Sequence, residues 1–77
     1  MRKVAILGEA FYTPIAPHCI GTDVGLTASL HCTASVPLFL IHECYEWITP
    51  ERLMRRTWKL DGDGYVSLPE GPGLGVE

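Results

Sequence analysis

Apolar positions along the chain alternate between helical spacing and short continuous runs. Val4, Gly8, Phe11 and Tyr12 recur at helical intervals across residues 2–12, with Ala5 and Leu7 beside them. Thr13-Pro14 ends this predicted helix, because the residue before a proline is pushed out of the α region. Ile15-Ala16 then forms a very short strand between Pro14 and Pro17, tolerable only where ladder donors are not required at either end. Gly21-Thr22-Asp23 supplies a loop and an N-cap for a second helix, along which Leu26, Leu30 and Ala34 fall at i, i+4 and i+8. Val36-Pro37 stops it by the same pre-proline logic. Leu38 to Glu43 is a continuous apolar run closed by polar residues, the pattern of a strand covered on both faces.

Each short run leads to a titratable side chain. Ile15-Ala16 passes through Pro17 to His18, and Leu38-Phe39-Leu40-Ile41-His42 leads to Glu43. A strand, a helix and a second strand, with such a group at the C-terminal tip of each strand, is the repeating unit of a (β/α) barrel. In that fold the chemistry sits on that face. The order predicts an α/β chain whose two strands are parallel, joined by a right-handed crossover through the helix. Two parallel strands alone leave unpaired backbone on both edges and expose the Leu38–Ile41 run. The expectation is a slice of a larger barrel rather than a unit that folds alone.

The character changes after Trp47. Thr49-Pro50-Glu51 is an N-cap, a proline at the first helical position and an acidic first turn, predicting a short helix over 50–56. Trp58-Lys59-Leu60 and Tyr65-Val66-Ser67-Leu68 flank Asp61-Gly62-Asp63-Gly64, a hairpin signal. Pro69 to Glu77 is rich in Gly and Pro and predicts an irregular surface tail. A boundary near residue 57 divides the chain into 1–57 and 58–77.

Composition narrows the function classes. The 77 residues are 47% hydrophobic and 19% charged, as in a folded interior rather than a disordered tail. A net charge of −3, with Arg52, Arg55 and Arg56 as the basic cluster, argues against a nucleic-acid surface. No apolar run reaches the length of a bilayer span. Gly8-Glu9 interrupts the apolar stretch after Met1-Arg2-Lys3, so no targeting segment is read. The three cysteines, Cys19, Cys32 and Cys44, are an odd number without CxxC spacing, which fits reduced thiols in a cytoplasmic protein.

Two metal readings compete with the barrel. His18-Cys19, His31-Cys32 and His42-Glu43-Cys44 are ligand types that zinc uses, but they lack the short knuckles of zinc sites. Counting from Lys59, the stretch to Glu70 meets the calcium-loop pattern at several positions, yet its first ligand is a lysine and Pro69 and Pro72 weaken the exit helix. A hairpin explains the same residues at lower cost. Gly71, Gly73 and Gly75 lack the Lys-Ser/Thr of a phosphate loop, and Trp47 and Trp58 read as packing anchors.

A resemblance adds to this reading. Glu9-Ala10-Phe11-Tyr12, Ile15-Ala16-Pro17-His18-Cys19, Ala28-Ser29-Leu30-His31, Pro37-Leu38-Phe39-Leu40-Ile41-His42-Glu43, Asp63-Gly64-Tyr65-Val66 and the Pro69-Glu70-Gly71-Pro72-Gly73-Leu74-Gly75-Val76-Glu77 tail together resemble the C-terminal part of an enolase-superfamily enzyme. Within it the chain is most similar to the mandelate racemase group and to acid-sugar dehydratases of the galactonate or gluconate type. The resemblance implies the C-terminal end of a TIM-type barrel, followed by a hairpin and tail that return to a capping domain absent from this chain. It implies that His18 is the histidine after the seventh strand, a general acid that protonates the departing hydroxyl. Glu43 matches the glutamate ending the eighth strand and would hydrogen-bond the sugar-acid substrate or its enediolate. The role given to His18 suits an imidazole, which can exchange a proton near neutral pH.

The resemblance also implies Mg²⁺, which stabilises an enediolate in such sites. The family's three metal carboxylates, and the aspartate that orients the histidine, have no counterpart here, and one carboxylate does not hold Mg²⁺ in an octahedral site. The expectation is that this chain alone does not catalyse dehydration. It would need the rest of the barrel, or else persist as a self-associating remnant or a small metal-binding protein.

Overall fold

The computed structural model describes residues 1–20, 22–44 and 58–76. Its elements run α1 (Arg2–Ala10), β1 (His18–Cys19), α2 (Asp23–Ala34), β2 (Glu43–Cys44), the predicted order helix, strand, helix, strand. β1 and β2 pair in parallel, with His18 opposite Glu43 and Cys19 opposite Cys44. The short helix expected over 50–56, Trp47 and the three arginines lie outside the described residues.

α1 stops three residues before the predicted breaker. Phe11 and Thr13 both donate their amides to the Gly8 carbonyl, and Tyr12 takes φ 53°, a left-handed turn that closes the helix ahead of Pro14. Such a residue is the usual device for ending a helix. The turn packs so tightly that a Cβ on Gly8 would stand 2.7 Å from the Thr13 carbonyl oxygen. Only Ala5 of α1 is buried; Val4, Leu7, Phe11 and Tyr12 are exposed.

α2 begins where the sequence places it. The Thr22 hydroxyl accepts the Gly25 amide at 3.3 Å, and the helix ends at Ala34 with Ser35 turning back onto the Cys32 carbonyl. Its buried face carries Asp23, Leu26, Thr27 and Thr33. Thr27, fully buried, donates to the Asp23 carbonyl at 2.7 Å and accepts the Trp58 indole N–H at 3.0 Å. The chain after residue 57 is thereby fastened to α2, and His31 Nε2 meets the Leu74 carbonyl at 3.1 Å further along the same helix.

The strands differ from expectation in two respects. Regular pairing starts at His18 and Glu43, while Ile15 contributes only an isolated bridge to Phe39. Pro14 and Pro17, which lack amide donors, account for the thin ladder before His18. The Leu38–Glu43 run is not covered on both faces: Leu40 is 68% exposed and Ile41 62% exposed.

The ladder also slips between these points. Ile15 pairs Phe39, 24 positions on, whereas His18 pairs Glu43, 25 positions on. The second strand therefore carries one extra residue within 40–42, a bulge flanked by Leu40 N–H to the Ile15 carbonyl at 3.0 Å and Glu43 N–H to the Pro17 carbonyl at 2.9 Å.

The expected hairpin forms over an antiparallel Leu60–Val66 bridge. Asp61 Oδ1 accepts the amides of Asp63 and Tyr65, and Gly64 takes φ 85°, which glycine alone adopts without strain. In the tail, Gly75 takes φ 71° where an added Cβ would collide with Pro69, so the segment is a defined turn closed by Gly75 N–H to the Pro72 carbonyl. Among the described residues no helix is long and apolar enough to cross a membrane.

Candidate functional site

The parallel pairing puts the two singled-out side chains together. His18 and Glu43 occupy the same register position, and Nδ1 of the imidazole lies 2.6 Å from Oε2 of the carboxylate. Each side chain is 51% exposed, so the pair opens to solvent instead of lying in the packed layer against α2.

An ionised carboxylate is an acceptor only, which makes Nδ1 the protonated nitrogen in this contact. Nε2 is then the atom through which a proton can pass, as a donor when the ring is charged and an acceptor when it is neutral. A half-exposed ion pair of this kind contributes about 0–1 kcal/mol to stability, so its geometry bears on chemistry more than on the fold.

The other histidines are taken up separately. His31 meets the Leu74 carbonyl, and His42 Nε2 lies 2.8 Å from Ser29 Oγ on α2. Burial pushes the His42 imidazole below its ordinary value of 6.5, with a backbone contact from Glu43 acting less strongly in the opposite direction. His18 meets Glu43 while the rings of His31 and His42 are engaged elsewhere, so the three imidazoles do not converge. Among the described residues no group of three or more His, Cys, Asp or Glu side chains is placed to hold a metal ion. Asp61, the central acid of the calcium-like stretch, spends Oδ1 on the turn amides. These residues do not fit a Mg²⁺ cage either: Glu43 is the one acid on the strand pair, and its Oε2 is engaged by His18.

The Ser29–His42 bond and the Thr27–Trp58 bond were not legible as site features in the sequence. The alternation of His42 with Glu43 was the available signal, since neighbouring strand residues point to opposite faces.

Comparison with known proteins supplies the remaining findings. The family model described as Enolase C-terminal domain-like matches residues 1–77. The chain is 34% identical over 77 residues to a D-xylonate dehydratase of Haloferax volcanii, covering 97% of this chain and 18% of that protein. It is 36% identical over 81 residues to a D-galactonate dehydratase family member of Streptomyces bingchenggensis, covering 100% of this chain and 19% of that protein. The chain thus spans under a fifth of the length of these curated relatives. No solved structure matches it.

Proposed function

Because this chain belongs to the enolase C-terminal domain-like family, we propose that it supplies the closing strands of a (β/α) barrel in an acid-sugar dehydratase, with His18 and Glu43 as its share of the site. The observation that carries this reading is the 2.6 Å contact between His18 Nδ1 and Glu43 Oε2 on adjacent parallel strands. Both relatives named above are dehydratases, of D-xylonate and in the D-galactonate family, and a sugar acid is the corresponding substrate class here.

In this reading a base outside the chain removes the proton next to the substrate carboxylate. The hydroxyl on the neighbouring carbon then departs with a proton from His18 Nε2, leaving as water. Glu43 accepts from Nδ1–H and so orients the ring, and its other oxygen accepts from a hydroxyl of the substrate or its enediolate. General acid assistance of this kind contributes roughly 10²–10⁴-fold. The Mg²⁺ of the parent activity would be held by residues other than those described, among which the donor set is not present. Residues 1–57 would form the barrel end, and 58–77 the hairpin and tail that lead to a capping domain.

The exposed Phe39, Leu40 and Ile41 suit a strand that meets further barrel strands. The test is reconstitution: the chain mixed with the preceding barrel portion of a dehydratase relative, assayed for water loss from D-xylonate and D-galactonate. Turnover from the mixture, absent from either part, supports the reading. A discrete homo-oligomer that never yields turnover with the complementary portion supports a self-associating remnant in its place.

A further inference from the structure

The slip in the ladder decides which residue faces His18. Had the offset of the Ile15–Phe39 bridge continued, His42 would stand opposite His18. The extra residue within 40–42 moves Glu43 into that position. A bulge re-aims side chains, and a one-residue change of register reverses every side chain beyond it.

The regular pairing beyond the bulge is short. β1 and β2 are two residues long, and Leu40 N–H to the Ile15 carbonyl and Glu43 N–H to the Pro17 carbonyl bound the bulge on its two sides. The exposed Leu40 and Ile41 make no buried packing that would select one register. His42 is the residue of the bulge that is partly buried, and its ring reaches α2, where Nε2 lies 2.8 Å from Ser29 Oγ. Among the described residues its buried Nδ1 has no hydrogen-bond partner of full geometry, and the ring's remaining polar contact is with the Glu43 backbone. A polar ring kept in that position at such a cost is explained if its contact with α2 does something an apolar side chain would not.

We propose that His42 is a positioning residue: through Ser29 it holds the bulge turned toward α2, and so fixes Glu43, rather than itself, opposite His18. This rests on the dehydratase reading only for its consequence in catalysis. The register itself is independent of the activity.

The experiment uses the full ¹⁵N-labelled chain and follows the Nδ1 and Nε2 shifts of His18 through its carbon-bound ring protons, a signal that reports the Nδ1–H tautomer bonded to Glu43 and is assigned by its disappearance in His18→Gln. The expected result is that Ser29→Ala and His42→Phe both lose this signal while helical circular dichroism is kept, and that Ser29→Thr, which restores a hydroxyl, retains it. A signal that survives in Ser29→Ala overturns the proposal. Loss of helical dichroism together with the signal in Ser29→Ala also overturns it, since the bond would then be general packing. Absence of the signal in the unsubstituted chain removes the His18–Glu43 pair, and with it both this proposal and the reading of the site. Retention of the pair in Ser29→Ala leaves that reading standing.

Discussion

His18 and Glu43 are 25 positions apart in the chain, yet Nδ1 of one lies 2.6 Å from Oε2 of the other. The intervening α2 is what makes this possible, because parallel neighbours need a crossover of about a dozen residues or more. The pair is half exposed. Glu43→Gln is therefore expected to change unfolding free energy by less than about 1 kcal/mol. Urea denaturation followed at 222 nm measures this, and a loss several times larger would make the pair a structural element.

Thr27 bridges the Asp23 carbonyl and the Trp58 indole while fully buried. Thr27→Val keeps the shape and removes the hydroxyl, at an expected cost of about 1–3 kcal/mol. Denaturation midpoints of Thr27→Val and Trp58→Phe, alone and combined, check it. Effects that simply add would show that the two residues do not interact.

Gly8→Ala sets two effects against each other. Alanine gains about 1 kcal/mol of helix propensity over glycine. Its Cβ would stand 2.7 Å from the backbone oxygen of Thr13, which cannot rotate away, and overpacking costs about 1–3 kcal/mol. The clash wins, so Gly8→Ala is expected to lower the thermal midpoint. Gly62→Ala, with nothing within 4 Å, is the matched control and should leave it nearly unchanged.

The folded state lowers the His42 pKa from its ordinary 6.5, so the unfolded chain binds the proton more readily. Stability from this group is fully present above pH 6.5 and declines as pH falls below 6.5 toward the lowered folded value. The difference in unfolding free energy between the parent chain and His42→Phe should therefore vary with pH in that window and be flat above it. A difference independent of pH from 7 downward would remove His42 from the pH response.

Much of this arrangement was legible in the sequence because it is written in local chemistry. Thr22 before Asp23 caps α2, Val36-Pro37 closes it, and Asp61 with Gly64 makes the hairpin turn. The two polar residues after apolar runs marked the pair, and parallel order followed from the helix between them. What was not legible depends on contacts distant in sequence. Tyr12 closes α1 before Pro14 by turning left-handed, which no spacing rule shows. The bulge before Glu43 needs both strands to be seen, since a continuous apolar run hides its own register. Leu40 and Ile41 read as covered because apolar content is the cue, although both remain mostly exposed.

Turnover of D-xylonate or D-galactonate by the reconstituted barrel carrying His18→Ala measures the proton donation itself. A fall of roughly 10²–10⁴-fold against the unsubstituted mixture is expected, with substrate affinity little changed. Turnover at the original rate would remove His18 from the reaction.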